Sequence, residues 1–362
     1  MKSSLKIICG MSGGVDSSVT ALLLKEQGHE VHGLFMKNWE EDSGPEGFCP
    51  AAKDALDAKA VADSLGISLE LVNFSKDYWD RVFAHFLQEY QAGRTPNPDI
   101  LCNKEIKFRA FLDHALAQGA DFIATGHYAR LKRTNDGIFL LKGKDNSKDQ
   151  SYFLSALNAS QLKYALFPIG ELEKTQVRAL AKRARLITHN KKDSTGICFI
   201  GERKFKDFLQ TYLPATPGEI HDDQGQVIGQ HEGLMFHTLG QRQGLHIGGM
   251  KNKAELPWYV AKKDLDHNRL IAVQGHQHPW LYTQELSAIQ VNWITHPPRE
   301  KCFKAWAKTR YRQADQACEI HVHSTHLIAH FDKPQFAVTP GQSLVLYDFQ
   351  DPDICLGSGI IQ

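Results

Sequence analysis

The sequence predicts an α/β protein with a doubly wound parallel sheet, followed by a small central module and a C-terminal β-barrel. In the first half, short apolar runs alternate with segments of helical periodicity, as in parallel strands joined by helices. After residue 205 prolines and glycines punctuate the chain. From about Gln274 only short strand-like runs remain, the pattern of a small barrel or sandwich. We therefore expect domains at 1–204, 205–274 and 275–362.

The individual elements follow from the spacing of apolar residues. In the first domain we expect strands near 5–9, 31–36, 67–71 and 121–125. Between them, stripes of helical spacing predict helices near 19–27, 56–65, 82–90 and 103–118, three of which stop at a glycine. Gln224 and Gly225 are typical of a hairpin tip in the central module. The barrel strands are expected near 287–294, 302–311, 317–322, 326–331 and 343–347.

Composition limits the class of protein. The 362 residues carry 42 Lys and Arg against 41 Asp and Glu, so RNA contacts would have to come from local basic clusters. The seven cysteines form no C-x-x-C pair, which argues against a zinc ribbon and a secreted disulfide framework and favours a reducing compartment. The N-terminus leads directly into a strand, and no apolar run has membrane length. We expect a soluble, cytoplasmic protein without a membrane partner.

The segment 10–18, GMSGGVDSS, joins the first predicted strand to the first predicted helix. Its glycines let backbone N–H groups approach an anion, its serines add hydroxyl donors, and the helix directs its positive end at the same point. A Walker loop is excluded because no lysine occurs between Lys6 and Lys25. The glycine spacing also departs from the dinucleotide pattern. The segment therefore predicts a phosphate site of another class.

Two cysteines are candidates for chemistry. Cys102 follows the proline-rich loop TPNPD and precedes the helix expected from Asn103, where a helix N-terminus would lower the pKa of its thiol. Asp99, three residues earlier, is close enough to act as a local acid or base. Cys198 lies in DSTGICFI, where its spacing fits either a buried strand or a mobile loop.

The motifs together resemble those of a known family. The phosphate segment is similar to the Ser-Gly-Gly-x-Asp-Ser loop (PP-loop) of the ATP pyrophosphatases, whose fold is adenine nucleotide alpha hydrolase-like. The whole set resembles the tRNA-specific 2-thiouridylases: GMSGGVDSS, GLFMKNW, TPNPDILCNKEIKF, ATGHYAR, KDQSYFL, DSTGICFIGER, HTLGQRQGLHIGG and TRYRQ. These enzymes use ATP to adenylate the C2 oxygen of the wobble uridine in tRNA and then replace it with sulfur, giving 2-thiouridine, AMP and pyrophosphate.

The resemblance implies roles for individual residues. Cys198 would carry the sulfur as a persulfide, Cys102 would be the nucleophile that resolves it, with a transient disulfide between the two, and Asp99 would be the acid/base. ATP would be bound by Gly10, Met11, Ser12, Gly13, Gly14, Val15, Asp16, Ser17, Met36 and Gly126. Asp16 would be a magnesium-linked position, because Mg²⁺ prefers carboxylate and phosphate oxygens.

The same resemblance implies the partners. The flipped target base would meet Asn97, Pro98 and Asp99. Contacts to the rest of the tRNA are expected from His127, Lys148, Asp149, Gln150, Arg310, Tyr311 and Gln342. The substrate would be a tRNA of the Lys, Glu or Gln type with a wobble uridine. Sulfur would come from a cysteine desulfurase or a sulfur-relay protein.

Three other interpretations remain open from the sequence. An amidating synthetase or a different thiolase would share the phosphate loop, although an enzyme delivering nitrogen has no use for the two cysteines. A catalytically silent tRNA-binding protein would need neither cysteine. An iron–sulfur cluster held by Cys102, Cys198 and a further thiol lacks the tight cysteine spacing that such clusters usually show.

Overall fold

The computed structural model describes residues 4–39, 50–193, 205–248 and 256–362. Its strands are β1 (Lys6–Gly10), β2 (Glu30–Lys37), β3 (Leu69–Asn73), β4 (Phe122–Ala124), β5 (Ala129–Thr134), β6 (Gly137–Lys142), β7 (Ala165–Leu166), β8 (Gly218–His221), β9 (Val227–His231), β10 (Trp258–Asp264), β11 (Arg269–Gln274), β12 (Tyr282–Trp293), β13 (Cys302–Lys308), β14 (Gln316–Val322), β15 (His326–Phe336), β16 (Ser343–Asp348) and β17 (Ile354–Ile361).

The α-helices are α1 (Val15–Glu26), α2 (Pro50–Leu65), α3 (Ser75–Tyr78), α4 (Ala84–Gln91), α5 (Pro98–Cys102), α6 (Phe111–Ala117), α7 (Ser151–Leu154), α8 (Ala159–Leu162), α9 (Lys174–Arg183) and α10 (Phe205–Gln210). Wider π turns, Trp79–Phe83 and Asn103–Ala110, link α3 to α4 and α5 to α6. Short 3₁₀ turns occupy Ile187–Asn190, Leu234–Phe236 and Pro279–Leu281. None of the described helices has both the length and the apolar character needed to cross a bilayer.

The parallel sheet predicted for the first domain is present, with strand order β3-β2-β1-β4-β7. Alternate residues of β1 enter different cores, as the period of two requires: Ile8 packs with the α3–α4 stretch, whereas Ile7 and Cys9 pack with α1 and α9. The chain leaves β1 toward β2 on one side, and β4 lies on the other. This arrangement makes the carboxyl ends of β1 and β4 a topological switch point, where such sheets bind ligands.

The C-terminal barrel is also present. The order β12-β15-β14-β13-β16-β17 closes on itself through an antiparallel pairing of β12 with β17. Its core is small and aliphatic, with buried residues such as Ala305, Ile320, Ala329 and Leu346. The last strand, β17, escaped the sequence analysis because its segment ICLGSGII carries two glycines. A Cβ at Gly357 would lie 2.0 Å from the carbonyl oxygen of Asn292, so close strand contact requires glycine there.

A hairpin from the first domain extends the barrel sheet. Strands β5 and β6 pair with each other, and Leu140 and Leu141 of β6 pair with Cys355 and Ile354 of β17. The side chain of Lys142 adds an ion pair to Asp315. This hairpin, which the sequence analysis did not predict, attaches the nucleotide domain to the barrel through continuous backbone hydrogen bonds.

The central module forms a separate sheet of order β10-β11-β8-β9. Ile220, Val260 and Leu270 are fully buried in its core. The predicted hairpin tip at Gln224 and Gly225 joins β8 to β9, and Gly225 adopts a φ of +79° that favours glycine.

Candidate active site

The segment 10–18 forms a tight loop between β1 and α1. Gly14 is the residue before the helix, and Gly13 has a φ of +71°. A Cβ on Gly13 would lie 2.2 Å from the carbonyl oxygen of Asp54 in α2, so only glycine allows the loop to approach that helix. The backbone N–H of Ser12 donates to Ser17 Oγ at 3.1 Å and closes the loop. The first N–H groups of α1 lack intrahelical acceptors, so the loop is built for an anion.

Strands β1, β2 and β4 bring the other predicted nucleotide residues to the same crevice. Met36 of β2 lies beside Gly10, since a Cβ on Gly10 would be 3.5 Å from the Met36 methyl carbon. Gly126 follows β4, and a Cβ there would be 2.7 Å from the backbone nitrogen of Ser17. Met11 is buried, and its backbone N–H bonds to the Leu34 carbonyl oxygen, whereas Ser12 is exposed toward the crevice.

Asp16 is held by two residues that the sequence analysis did not single out. The hydroxyl of Tyr128 donates to Asp16 Oδ1 at 2.7 Å. Lys174 Nζ donates to both carboxylate oxygens, each at 2.8 Å. Lys174 is the first residue of α9 and is buried, although it is 158 positions from Asp16. No motif marks it, so only the folded chain identifies it.

The same lysine reaches a second carboxylate. Lys174 Nζ lies 2.7 Å from Asp193 Oδ1, and Asp193 also pairs with Lys148 at 2.7 Å and Arg178 at 2.9 Å. Burial raises the pKa of Asp193, but its bonds to Lys148 and Lys174 outweigh that effect and lower the pKa to about 2. Lys148, which we expect to contact tRNA, is thus bound to Asp193 in this structure.

The helix carrying Cys102 begins earlier than the sequence analysis predicted. Helix α5 starts at Pro98, and the side chain of Asn97 accepts a hydrogen bond from the Ile100 N–H at 3.4 Å. Cys102 is therefore the last residue of α5, and the helical chain continues through it. The expected activation of the Cys102 thiol by a helix N-terminus is therefore wrong, because Cys102 does not lie at one. The missed signal was Asn-Pro, an N-cap residue followed by proline in the first helical position.

Asp99 and His127 lie near one shared positive charge. Burial raises the pKa of Asp99, while the charge of Lys107 acts in the opposite direction. Burial lowers the pKa of His127 well below its usual value, and the charge of Lys107 lowers it further. His127 is thus neutral; its Nδ1 lies 2.8 Å from Thr125 Oγ1. The ring of His127 lies 5.9 Å from the ring of Phe108, in the π turn that continues from α5, so the residue after Gly126 contacts the helical segment that carries Asp99 and Cys102.

The remaining residues predicted to contact tRNA differ in their accessibility. Asp149 is buried and accepts hydrogen bonds from the N–H groups of Gly143 and Ser151, each at 3.0 Å. Gln150 accepts from the Tyr128 N–H at 3.0 Å. These two side chains therefore shape the loop rather than project from it.

The predicted tRNA residues of the barrel lie beside the segment 95–97 or elsewhere on the barrel. Gln342 Nε2 donates to the Thr95 carbonyl oxygen at 2.7 Å and so supports the segment that leads to Asn97. The ring of Tyr311 packs on Phe153 with a centroid distance of 4.2 Å. Arg310 is exposed.

A cavity of about 400 Å³ lies between α4, α5 and the barrel. Asn97 and Pro98 line it, together with the ion pair of Arg94 and Glu89. Among the described residues, Asp99 and Cys102 do not belong to its lining, so we do not assign this cavity to the reacting base. Cys198, the predicted persulfide carrier, lies outside the described residues.

Comparison with known proteins identifies the family. The tRNA-specific 2-thiouridylase MnmA of Francisella philomiragia is 59% identical over 358 residues, 98% of this chain and 99% of the relative. That of Pseudomonas fluorescens is 59% identical over 360 residues, 99% of this chain and 95% of the relative. The chain belongs to the family of tRNA-specific 2-thiouridylases. The resemblance drawn from the motifs is confirmed, and the amidating synthetase is set aside.

Three family models match this 2-thiouridylase family member along its length. They are described as a tRNA methyl transferase HUP domain at residues 5–202, a tRNA methyl transferase PRC-barrel domain at 206–274 and an aminomethyltransferase beta-barrel domain at 283–361. Their descriptions name methyl transfer, whereas the full-length relatives are named as 2-thiouridylases. Because the 2-thiouridylases match nearly the whole chain, the family assignment rests on them and not on the descriptions of the domain models.

Solved structures show more distant similarity. A 4-thiouridine synthetase in complex with RNA and bound ATP is 17% identical with a TM-score of 0.38, covering 58% of this chain and 50% of that one. The NMN synthetase of Francisella tularensis is 20% identical with a TM-score of 0.34, covering 53% and 67%. Similarity at this level does not extend to ligands or activity.

Proposed function

We propose that this protein is an ATP-dependent tRNA-uridine 2-sulfurtransferase that converts the wobble uridine of tRNA to 2-thiouridine. One structural relationship carries the proposal: Gly126 packs against Ser17 of the phosphate loop, and the ring of the adjacent His127 packs on Phe108 in the helical segment that continues from Asp99 and Cys102. A nucleotide on the loop and a base at Asp99 would therefore meet in one crevice. ATP cleavage and base chemistry need that proximity.

The first chemical step uses the nucleotide. The C2 oxygen of uracil attacks the α-phosphorus of ATP, an oxygen–phosphorus bond forms, and pyrophosphate leaves. The loop that would bind the phosphates and the strand ends that would meet the nucleoside comprise Gly10, Met11, Ser12, Gly13, Gly14, Val15, Asp16, Ser17, Met36 and Gly126. Exposed Ser12 and the first N–H groups of α1 supply the donors.

Asp16 fits a magnesium-linked role. Its carboxylate is a hard oxygen donor at the phosphate loop and is only half-buried, and Mg²⁺ is commonly bound by one or two carboxylates together with substrate phosphates. When bound, Mg²⁺ would neutralise the charge of the departing pyrophosphate. Lys174 holds the orientation of Asp16 through both of its oxygens.

The second step replaces oxygen with sulfur. The terminal sulfur of a Cys198 persulfide attacks C2, and the carbon–oxygen bond breaks, so that AMP leaves with the former uracil oxygen. The Cys102 thiolate attacks the inner sulfur and breaks the S–S bond, which leaves a disulfide between Cys102 and Cys198. Alternatively, the Cys102 thiolate attacks the Cys198 persulfide first. This releases sulfide, which then attacks C2 in place of the persulfide. An upstream donor, either a cysteine desulfurase or a relay protein, restores the persulfide after reduction.

Asp99 is the proposed acid/base. A carboxyl group whose pKa is raised by burial exchanges protons closer to neutral pH than an exposed one. Asp99 lies in the first turn of α5, one helical turn from Cys102. It could therefore exchange a proton with the same uracil to which Cys102 and Cys198 transfer sulfur.

The tRNA contacts divide by accessibility. We assign the phosphate contact to Arg310, which is exposed, and a stacking or packing role to Tyr311, which lies beside it. Asn97, Pro98 and Asp99 would surround the extruded base, with Gln342 holding their loop. His127, Lys148, Asp149 and Gln150 would shape the neighbouring wall. The proposed substrates are tRNAs of the Lys, Glu and Gln type.

The proposal is tested by mass analysis of tRNA nucleosides after incubation with ATP, Mg²⁺ and a sulfur source. We expect 2-thiouridine only with ATP, and its loss in Cys102→Ser. Cys198→Ser should lose transfer from a persulfide donor. Cys318→Ala, a small change in the barrel core, is the matched cysteine control. Thiolation without ATP, or thiolation unaffected by Cys102→Ser, would overturn the proposal. A coloured protein that loses its absorbance in Cys102→Ser would favour the iron–sulfur alternative.

A further inference from the structure

The outer surface of the barrel carries a second cluster of chemically active side chains, far in sequence from the phosphate loop. Cys302 begins β13, and Glu319 and His321 belong to β14. Their ligand atoms all lie within 4.8 Å of one another. Cys302 Sγ is 3.8 Å from His321 Nε2, which is 2.7 Å from Glu319 Oε1. A thiol, an imidazole and a carboxylate thus converge on one point.

The sheet itself arranges this cluster. Cys302 and His321 are directly opposite each other in the β13–β14 register. Glu319 lies two residues before His321 and so faces the same side, while the intervening Ile320 is fully buried in the barrel core. Backbone pairing therefore places the three residues next to one another on one face of the sheet before any ligand arrives, which lowers the entropic cost of binding.

A neighbouring strand steadies the imidazole. His330 of β15 is directly opposite Glu319, and its ring meets the ring of His321 edge to face with a centroid distance of 5.1 Å. His330 Nδ1 is in turn 3.2 Å from Glu285 of β12. The edge-to-face contact favours the present orientation of the His321 ring.

We propose that Cys302, Glu319 and His321 form a binding site for a thiophilic divalent cation of the Zn²⁺ class. Sulfur, nitrogen and carboxylate ligands at bond lengths of about 2.0–2.3 Å stand roughly 3.3–3.8 Å apart around a tetrahedral ion. The sulfur–nitrogen distance already fits, and the His321–Glu319 contact opens when the ion replaces its hydrogen bond. The Cys302 proton passes to solvent, and water completes the fourth position.

The ligand set selects among cations. A thiolate is a soft ligand that Mg²⁺ and Ca²⁺ avoid, and both of those ions need more oxygen ligands than this cluster provides. Zn²⁺ is four-coordinate, has no redox chemistry, and binds thiolate sulfur, imidazole nitrogen and carboxylate oxygen. Binding would join the first residue of β13 to the end of β14 and so stabilise that edge of the barrel.

The test uses the full-length protein and Co²⁺ as a spectroscopic probe. A Cys102→Ser/Cys198→Ser background removes the thiols of the proposed reaction. We expect one equivalent of Co²⁺ to produce a near-ultraviolet thiolate charge-transfer band, and Zn²⁺ to abolish that band by competition. Addition of Cys302→Ala should eliminate the band, and His321→Ala should weaken Co²⁺ binding at least tenfold.

His326→Ala is the matched control, because His326 lies on the same barrel outside the cluster. It should leave the Co²⁺ titration unchanged. No thiolate band in the background protein, or a band that survives Cys302→Ala, would overturn the proposal. Circular dichroism of each variant verifies that the barrel has folded.

Discussion

Lys174 donates to both carboxylate oxygens of Asp16 at 2.8 Å and lies 2.7 Å from Asp193. Asp16 belongs to the phosphate loop, while Asp193 directly precedes residues 194–204, the segment that contains Cys198. One buried ammonium group therefore links the proposed nucleotide site to the chain that leads to the proposed sulfur carrier.

Replacement of Lys174 by methionine should lower the free energy of unfolding by about 2 kcal/mol, because Asp16 and Asp193 lose charge-assisted hydrogen bonds. The same change should weaken ATP-dependent thiolation by at least tenfold, since Asp16 loses its orientation. Urea denaturation and thiouridine formation measure the two effects. Lys174→Arg, which keeps the charge, is the control and should retain most of the stability. Equal stability of Lys174→Met and wild type would contradict the assigned role.

The depressed pKa of Asp193 predicts a pH dependence of stability. Its value of about 2 in the folded protein is below the roughly 3.9 of an unfolded aspartate, so its contribution is present above pH 4 and is lost as the pH falls toward 2. We expect the urea midpoint of the wild type to fall more steeply over this interval than that of Asp193→Asn. Parallel curves for the two proteins would show that Asp193 is not held as an ion by its partners.

Replacement of Asp99 by asparagine should reduce thiolation by roughly 10²–10⁴-fold, the usual range for loss of a general acid or base, while tRNA binding changes little. Burial raises the pKa of Asp99, so the acid limb of the wild-type profile should lie above the ordinary carboxyl range near pH 4. kcat/KM measured against pH checks both points. Asp99→Glu should restore part of the activity. An unchanged acid limb in Asp99→Asn would assign the titration to another group.

Replacement of Gly126 by alanine should disturb the phosphate loop. The added Cβ would meet the backbone nitrogen of Ser17 at 2.7 Å and the backbone carbon of Asp16 at 2.8 Å, so backbone must move. Overpacking of this kind costs about 1–3 kcal/mol. We expect weaker ATP binding in calorimetry and a lower melting temperature. Gly248→Ala is the matched control, because no described residue lies within 4 Å of a Cβ there. Wild-type ATP affinity in Gly126→Ala would contradict the packing argument.

Replacement of exposed Arg310 by alanine should weaken the binding of tRNAs of different sequence to the same extent. It should also reduce the slope of log Kd against log salt concentration by about one unit, as expected for the loss of one phosphate contact. Arg299→Ala removes an exposed arginine at the opposite end of β13 and serves as the control. Filter binding across a salt series measures the slope. An equal slope for Arg310→Ala and wild type would remove Arg310 from the tRNA surface.

Much of the fold could be predicted because its signals are local. The short apolar run of β1 predicted a strand buried in a parallel sheet, and the structure shows burial on both faces, for Ile7 and for Ile8. Gly13 was predicted to let the backbone approach an anion; the structure gives a further reason for glycine there, a φ of +71° and close packing on the backbone of Asp54. Where sequence reasoning failed, a local signal was sometimes present. Pro98 marked the start of α5 and thereby removed Cys102 from the helix N-terminus.

Other features depend on contacts between distant parts of the chain. The hairpin of β5 and β6 joins the barrel through residues more than 200 positions away, and a strand pattern does not indicate its partner. Burial of Asp149 and the capture of Lys148 by Asp193 likewise arise from neighbours brought in by folding. From the sequence, both residues would be expected on the surface, because a charged residue type does not indicate which groups surround it in the fold.

The sequence by itself determined the class of sheet, the phosphate loop and the family, because glycine spacing and apolar periodicity act over a few residues. Only the tertiary structure decided which charges meet. Lys174 reaches Asp16 across 158 positions, and Cys302 faces His321 through strand register. Electrostatic and ligand interactions depend on distance in space, which the order of residues along the chain does not contain.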